Sequence, residues 1–365
     1  MNASGGQVSA WIGLDIGGAN IKAAHSDGPA LSVPFEVWKR PDDLARTIRN
    51  VAATLPAASA AAVTMTAELC DCYPTKRAGV QAILDAVVAA IPDHAVAIWG
   101  VDRRFHRVEE VRDDPLIAAA SNWLALAELA ARLVPSGPGI LIDIGTTTTD
   151  LIPLLDGIVA ARGRDDTGRL QTGELVYAGV RRTPIHALAI ELPFRGVPTG
   201  LAAELFASTL DVFLMLGDIP PSPKDLSTAD GRPATLEAAR DRLARMIGAD
   251  REGFSPDDAR AFAEAAASCL LERLARAADR ACRATVGRPA AAVIAGSGDF
   301  LARRLAEVVI EPGGPIISLN DAWGPVSSAA GCAYAVVRLA MERSQPEGVP
   351  PPLSLPIAAA LENPQ

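Results

Sequence analysis

Two short glycine loops in the sequence combine the residue types that bind phosphate groups and metal ions. The first is the run DIGGANIK at residues 15–22, and the second is the run DIGTTTTD at residues 143–150. Glycine lets the backbone approach a phosphate closely and direct its amides at the oxygens. Aspartate at the end of a strand suits Mg²⁺, directly or through water. The pair predicts a clamp on a Mg²⁺-bound phosphate chain.

The two loops supply most of the candidate site residues. The predicted metal ligands are Asp15, Asp143 and Asp150. The predicted phosphate-binding residues are Gly17, Gly18, Asn20, Lys22, Gly145, Thr146, Thr147 and Thr148. Taken singly, the first loop is also typical of a tight hairpin, and the threonines of the second also suit a β-strand. An apolar strand that ends in Asp-Ile-Gly twice favours the phosphate site.

A third glycine turn, Gly296-Ser297-Gly298, follows the apolar run 291–295. A strand that passes through a glycine turn into a helix places helix amides where a nucleotide or diphosphate group binds. An ordinary strand-to-helix turn has the same pattern, so this turn alone does not separate the two interpretations.

Acidic and basic residues crowd the end of the apolar run 61–66. Glu68 and Asp71 are candidate general bases, and Lys76 and Arg77 are candidate substrate-binding residues, because active sites of α/β proteins lie at strand ends. A solvated loop is the alternative. Cys70 and Cys72 have no second cysteine pair and do not favour zinc.

The segment 162–195 has no helical or strand periodicity and is predicted to be a long functional loop or small insert. Its polar residues form either an acceptor pocket or a solvated flap; the candidates are Asp166, Thr172, Glu174, Arg181 and Arg182. The four histidines are scattered without the spacing of a metal or catalytic motif.

The elements around the loops repeat along the chain. Each half begins with an apolar strand, an Asp-Ile-Gly turn, a second strand and an Asp-Gly turn, at residues 11–28 and 140–157. Such an echo predicts two related α/β lobes. We place the first lobe at 1–135, the second at 136–345 with an insert at about 163–195, and a proline-rich tail at 346–365.

Pattern and turn signals place the other elements. Strands are predicted at 31–38, 61–66, 96–101, 147–155, 291–295 and 316–319. Helices are predicted from an Asp42-Asp43 N-cap to about 55, and at 76–91, 122–133, 202–216, 236–247, 256–286 and 325–343.

Composition limits the classes of function. The 365 residues carry a formal net charge of −9, which argues against nucleic acid as a partner. Five cysteines indicate no disulfide framework and favour a reducing compartment. We find no signal peptide or transmembrane pattern and expect a cytoplasmic protein without a membrane partner.

The two Asp-Ile-Gly loops and the Gly-Ser-Gly turn resemble those of the sugar-kinase, actin and heat-shock ATPase superfamily. This resemblance implies an α/β, two-lobed actin-like, ribonuclease H-like fold with a central cleft. It implies hinge helices near 120–133 and 327–340. The phrase DIGTTTTDL is also similar to the hydantoinase/oxoprolinase group.

Four phrases together give a narrower resemblance: TMTAELCDCYPTKRAGV, SNWLALAE, DIGTTTTDLIP and RLQTGELVYAGVRRTP. They resemble a family linked to tetrahydromethanopterin-dependent one-carbon metabolism, whose archaeal relatives act in methanofuran biosynthesis. The resemblance implies a transferase that joins an aminomethyl-furanmethyl diphosphate to the phenol oxygen of a glutamyl-tyramine or tyrosine acceptor, with release of diphosphate.

Two alternatives within the same fold remain: an ATP-dependent kinase or ring hydrolase, and a nucleotide-switched scaffold without enzyme activity. Asn20 stands where many kinases have Thr or Ser, and no sugar-kinase catalytic aspartate is evident, which favours the transferase.

The resemblance to the transferase family implies that Mg²⁺ binds at the two loops. ATP would be a ligand only if the protein were a kinase, a ring hydrolase or a nucleotide-switched scaffold. The same resemblance implies Glu68 or Asp71 as the base for the phenol. Lys76, Arg181 or Arg182 would then hold the anionic ends of the substrates.

Overall fold

Two mixed sheets and the helices around them make up the described part of the chain, residues 10–344 of the computed structural model. The strands are β1 Trp11–Ile16, β2 Asn20–His25, β3 Ala30–Pro34, β4 Ala60–Met65, β5 Ala95–Trp99, β6 Phe105–His106, β7 Pro138–Ile144, β8 Thr149–Leu155, β9 Ile158–Val159, β10 Leu175–Val176, β11 Glu191–Phe194, β12 Val197–Gly200, β13 Ala291–Ala295 and β14 Ile316–Ser318.

The helices cover both faces of these sheets. They are α1 Leu44–Ala53, α2 Lys76–Ala90, α3 Val108–Asp113, α4 Asn122–Ala131, α5 Asp166–Thr172, α6 Thr209–Leu216, α7 Leu236–Arg245, α8 Pro256–Arg283, α9 Asp299–Val309, α10 Leu319–Trp323, α11 Pro325–Ala329 and α12 Gly331–Arg343.

The two sheets repeat one topology. The first has the order β3-β2-β1-β4-β5-β6, and the second has the order β10-β8-β7-β13-β14, with β9 also paired to β8. In each, an antiparallel hairpin (β1–β2 or β7–β8) is extended by two parallel strands. Strands β4 and β13 are buried along their whole length, as central parallel strands are. The duplicated, two-lobed actin-like fold predicted from the sequence is confirmed.

Helices α4 and α12 lie between the two sheets. Buried side chains of α4 and α12 share one apolar cluster with residues of both sheets, among them Ala62, Leu141 and Ile152. Gly13 of β1 has no room for a side chain, because a Cβ there would lie 2.1 Å from the carbonyl oxygen of Ala333 in α12. The sequence assigned α12 to the second lobe, yet it packs on the first sheet. These two helices occupy the predicted hinge positions.

Several predicted boundaries were wrong for local reasons. The helix predicted at 202–216 begins only at Thr209, where Ser208 and Asp211 form a capping box. The helix predicted at 325–343 is interrupted at Ala330 between α11 and α12. Strand β3 ends at Pro34, well before residue 38.

The predicted Asp42-Asp43 N-cap is confirmed in position only, because Asp43 is the residue before α1 but its side chain makes no hydrogen bond to the helix amides. Both residues lie in a 3-10 turn, and α1 starts after it without a side-chain cap.

The segment 162–195 is more ordered than its lack of periodicity indicated. It contains α5, β10 and β11, and Asp165 caps α5 by accepting a hydrogen bond from the Gly168 amide. The predicted tail at 346–365 lies outside the described residues.

Candidate functional site

The two Asp-Ile-Gly loops adopt the same turn at equivalent strand ends. In the first, the Gly17 amide donates to the Asn20 carbonyl at 3.1 Å; in the second, the Gly145 amide donates to the Thr148 carbonyl at 2.9 Å. Both turns join the two strands of an antiparallel hairpin. The repeat seen in the sequence is therefore a repeat of backbone conformation.

The carbonyl groups of the first loop are bound from behind. The carbonyl of Gly18 accepts a hydrogen bond from the Val37 amide at 2.9 Å, and that of Ala19 accepts one from the Phe35 amide at 3.0 Å. These contacts fix the orientation of the peptide planes, so that the loop carbonyls face the segment after β3.

The second loop is held in the same way by a different segment. The Val180 amide donates to the carbonyl of Gly145, and the amides of Arg181 and Arg182 both donate to the carbonyl of Thr146, at 3.0–3.1 Å. Gly179 leaves room for this approach, since a Cβ there would lie 2.5 Å from the Gly145 oxygen.

The amide groups of both loops are left without partners. Within residues 10–344, no hydrogen bond is donated by the backbone amides of Gly18, Ala19, Thr146, Thr147 and Thr148. These residues are half-buried. Half-buried amides without acceptors are suited to the oxygens of an anionic ligand.

The third glycine turn packs directly on the second loop. Gly296 has φ +90°, and a Cβ there would lie 2.3 Å from the Ile144 carbonyl oxygen and 2.4 Å from Oδ1 of Asp143. The Gly298 amide donates to that same Ile144 carbonyl at 2.8 Å, and Ser297 is exposed. Contact with the second loop accounts for both glycines.

The equivalent positions across the two hairpins carry opposite charges. Lys22 pairs with Asp15 across β1 and β2, whereas Asp150 pairs with Asp143 across β7 and β8. Burial lowers the pKa of Lys22, but Asp15 and Asp143 raise it more, so the net shift is upward. The first hairpin therefore places a cation where the second places an acid.

The buried carboxyl groups here bind protons unusually well. Burial raises the pKa of Asp143 to about 7, with Asp150 and Asp15 adding to the shift and Lys22 opposing it. Burial also raises the pKa of Asp15, opposed by Lys22 and by a hydrogen bond from the Asn122 side chain. Oδ1 of Asp15 is buried without a hydrogen-bond partner.

A metal ion in this cleft would need ligands beyond the protein. Between residues 10 and 344, no group of three or more His, Cys, Asp or Glu side chains is arranged to hold a metal. Mg²⁺ usually takes one or two carboxylates and completes its shell with water and substrate phosphates. Asp143, Asp150 and the orphaned oxygen of Asp15 fit that mode.

Glu68 and Asp71, the two candidate bases, have different environments. Glu68 is only 1% exposed, its Oε2 atom has no hydrogen-bond partner, and burial raises its pKa to about 7, with nearby Asp166 adding to the shift. Gly79 of α2 packs on the Glu68 backbone, where a Cβ would lie 2.2 Å from the carbonyl oxygen. Asp71 is exposed. The geometry favours Glu68.

Two contacts bring basic residues of the predicted pockets across the cleft. The Nζ atom of Lys76 lies 3.6 Å from Oδ2 of Asp166. The guanidinium of Arg182 lies 5.3 Å from the centre of the Trp38 ring. Both contacts link the segments that flank the two loops.

Other predicted substrate-binding residues have structural partners instead. Both oxygens of the buried Glu174 accept backbone amides, from Arg162 at 2.7 Å and Gly163 at 2.8 Å. The Thr172 hydroxyl donates to the Arg169 carbonyl.

The remaining two arginines of that prediction are also paired. Arg181 is bound to Asp225, and Arg77 pairs with Asp114 at 3.8 Å on the surface of the first lobe.

Sequence reasoning missed four residues beside the site. Arg169 binds Asp150, Trp123 stacks on Arg169, and Asn122 reaches Asp15. Tyr177 follows β10 beside the second loop and is 51% exposed. Asn122 and Trp123 belong to the run SNWLALAE, which was one of the four phrases that carry the family resemblance.

No helix between residues 10 and 344 is long and apolar enough to cross a membrane.

Comparison with known proteins gives a consistent result. Residues 59–341 match the hydantoinase/oxoprolinase family. A protein of Methanocaldococcus jannaschii named (4-{4-[2-(gamma-L-glutamylamino)ethyl]phenoxymethyl}furan-2-yl)methanamine synthase is 35% identical over 90% of this chain and 96% of its own length. A synthase of the same name from Methanococcus vannielii is 30% identical over 54% of this chain and 88% of its own.

Among solved structures, nucleotide-free acetone carboxylase is similar in fold. It has a TM-score of 0.51 and 11% identity, over 90% of this chain and 70% of that one. At that identity the likeness concerns the fold alone.

Proposed function

The chain belongs to the hydantoinase/oxoprolinase family, and from this membership and the geometry of the cleft we propose that it is an ether-forming transferase. It would join an aminomethyl-furanmethyl diphosphate to the phenol oxygen of a glutamyl-tyramine or tyrosine acceptor and release diphosphate. The observation that best supports this proposal is the similarity to the M. jannaschii synthase, which extends over 96% of the length of that enzyme. The name of that enzyme describes a phenoxymethyl-furan with a primary amine.

The cleft is suited to the leaving group of this reaction. The free amides of Gly18 and Ala19 and of Thr146–Thr148 would bind diphosphate oxygens, together with the ammonium group of Lys22. As the carbon–oxygen bond breaks, its electron pair moves onto diphosphate, where these donors lie. They therefore stabilise the transition state more than the substrate.

Asp143 and Asp150 would hold Mg²⁺ against the diphosphate. When bound, the ion neutralises charge that develops on the leaving group. Asp15 lies opposite Lys22 across the hairpin and raises its pKa, so its part would be to keep that ammonium group charged.

Glu68 would act as the base at the other side of the reacting carbon. The phenol oxygen forms a bond to the furanmethyl carbon, and its proton passes to the Glu68 carboxylate. A phenol has a pKa of about 10, and a base with a pKa near 7 is better matched to it than an ordinary carboxylate.

The test is release of inorganic diphosphate from the furanmethyl diphosphate by the purified protein with Mg²⁺. We expect release only when a phenolic acceptor is present, with the ether as the second product. ATP consumption without ether formation would replace this proposal with a kinase or ATP-driven hydrolase. ATP-dependent recruitment of a protein partner without turnover would replace it with a nucleotide-switched scaffold.

A further inference from the structure

The first residues of helix α4 lie beside the first phosphate-binding loop and are linked to the second through Arg169. The Asn122 side chain lies beside Asp15 of the first loop and lowers the pKa of that carboxyl group. The next residue, Trp123, is buried, and the guanidinium of Arg169 stacks on its ring at 4.0 Å from the ring centre. Two consecutive residues of the hinge helix thus point toward opposite halves of the site.

Arg169 continues this contact to the second loop. It is only 2% exposed, and its Nη2 atom lies 2.5 Å from Oδ1 of Asp150. The same nitrogen donates to the Glu174 carbonyl at 3.3 Å. A buried guanidinium that stacks on one side chain and binds another in its plane has little freedom to move.

The surrounding segment is shaped around Arg169. A Cβ on Gly163 would lie 2.6 Å from Cγ of Arg169, so a side chain at residue 163 would displace the arginine. Glu174 holds the Gly163 amide in place with one carboxylate oxygen and the Arg162 amide with the other. Glu174, predicted from the sequence to be part of an acceptor pocket or of a solvated flap, therefore serves the placement of Arg169.

The preceding residue is also unusual. Ala120 has φ +49°, a conformation that costs a non-glycine residue energy, and its backbone amide lowers the pKa of the Glu68 carboxyl group. The hydroxyl of Ser121 then lies 2.9 Å from that of Thr64 at the end of β4. The segment Ala120–Trp123 thus lies among residues of both halves of the site.

We propose that Arg169 is a positioning residue, which links Asp150 to Trp123 so that the start of α4 holds the acidic residues of both loops at a fixed separation. The inference rests on the proposed role of these loops in binding Mg²⁺ and diphosphate. Arg169 itself touches neither ligand. Its guanidinium leaves the other oxygen of Asp150 free for a cation and fixes where that oxygen points.

The test uses the full-length protein and measures binding of inorganic diphosphate in the presence of Mg²⁺ by calorimetry. The Arg169→Lys variant keeps the charge but cannot both stack on Trp123 and reach Asp150. We expect its affinity to fall about 10- to 100-fold, as for other partners that orient metal ligands. The kcat of the transferase should fall, with KM for the phenolic acceptor unchanged.

Arg242→Lys is the matched control. Arg242 is equally buried and binds Asp211 and Asp230 in the helical region away from the loops. We expect it to lower the melting temperature as Arg169→Lys does, while diphosphate affinity stays at the wild-type level.

Substitutions at Trp123 test the contact between Arg169 and helix α4. They remain informative even if the Arg169→Lys variant does not fold. Affinity should decrease in the order wild type, Trp123→Phe, Trp123→Leu, following the strength of the aromatic platform. In an Asp150→Asn background, Arg169→Lys should have no further effect on affinity.

The outcomes separate the two proposals. Wild-type affinity in Arg169→Lys, equal affinities across the Trp123 series, or additive losses with Asp150→Asn would each overturn the positioning role while leaving the clamp intact. Failure of the wild-type protein to bind diphosphate would overturn the clamp and, with it, this inference.

Discussion

The ammonium group of Lys76 lies 3.6 Å from the carboxylate of Asp166, and the pair joins the first residue of α2 to the first residue of α5. The two helices belong to different lobes. Both side chains are more than two-thirds buried, at 27% and 17% exposure. A largely buried ion pair between the two lobes stabilises their observed arrangement.

Exchanging these two charges tests that contact. Lys76→Asp or Asp166→Lys alone places like charges together, and we expect KM for the furanmethyl diphosphate to rise about two- to fivefold, the effect of a partly exposed ion pair. The double exchange should recover most of the loss, and small-angle scattering should show a larger radius of gyration only in the single variants. Lys39→Ala, which removes an exposed pair with Glu36, is the control. A double variant worse than either single one would contradict the contact.

Removing the charge of Asp143 should separate activity from stability. Asp143→Asn is expected to lower Mg²⁺-dependent diphosphate release at least about 100-fold, because a cation ligand is lost. The melting temperature should stay level or rise, since burial and the nearby Asp150 already disfavour the charged carboxylate. Activity assays and thermal melts of the same preparation decide this. Retained activity would exclude Asp143 from the clamp.

Glu68 makes both activity and stability depend on pH. Turnover should rise as pH increases through about 7, where the carboxyl becomes the ionised base, and Glu68→Gln should lose about 100-fold or more with no such rise. The folded protein holds this proton up to about pH 7, whereas the unfolded chain releases it near 4.5. The stabilising effect is therefore complete below 4.5 and is lost as pH increases through 7.

Chemical denaturation measures the stability part of that prediction. At pH 8, Glu68→Gln should be more stable than the wild type by up to roughly 3 kcal/mol, and the difference should shrink toward pH 5. A Glu68→Gln variant that is less stable at pH 8 than at pH 5, relative to wild type, would contradict burial of the charge.

Gly296 and Gly313 form a matched pair for the third glycine turn. Both have positive φ, +90° and +78°, so alanine at either position should cost about 1–2 kcal/mol from the backbone alone. Only at Gly296 does the added Cβ meet Ile144 and Asp143; around Gly313 there is open space within 4 Å. Gly296→Ala should therefore cost about 1–3 kcal/mol more and weaken diphosphate binding. Equal losses in denaturant titrations would argue against the close packing.

The two Asp-Ile-Gly hairpins were predictable because they are local. Strand, turn and strand follow within about fifteen residues. Glycine suits the turn because a Cβ at Gly17 would lie 2.9 Å from the Asn20 carbonyl oxygen. The spacing also predicts a pairing that was not recognised from the sequence, because Lys22 follows Asp15 by the same interval as Asp150 follows Asp143. Aligning the two repeats residue by residue would have placed the lysine against the first aspartate.

The roles of the segment after β9 were not predictable in this way. Glu174 and Asp166 are both acidic residues of a polar stretch, yet one binds backbone amides in the interior and the other faces Lys76 across the cleft. Only the three-dimensional path of the chain separates them. The same is true of Arg169, whose partners Asp150 and Trp123 are distant in sequence and are brought together by packing of α4 against the second sheet.

The exchange of lysine for aspartate between the two hairpins gives the cleft a direction. In the proposed reaction a diphosphate ester would meet the lysine of one hairpin and the two aspartates of the other, so its two orientations would differ in energy. A fold built by duplication would otherwise offer two nearly equivalent orientations. This single difference within the repeat would thus favour one orientation of the bound ester toward the incoming nucleophile.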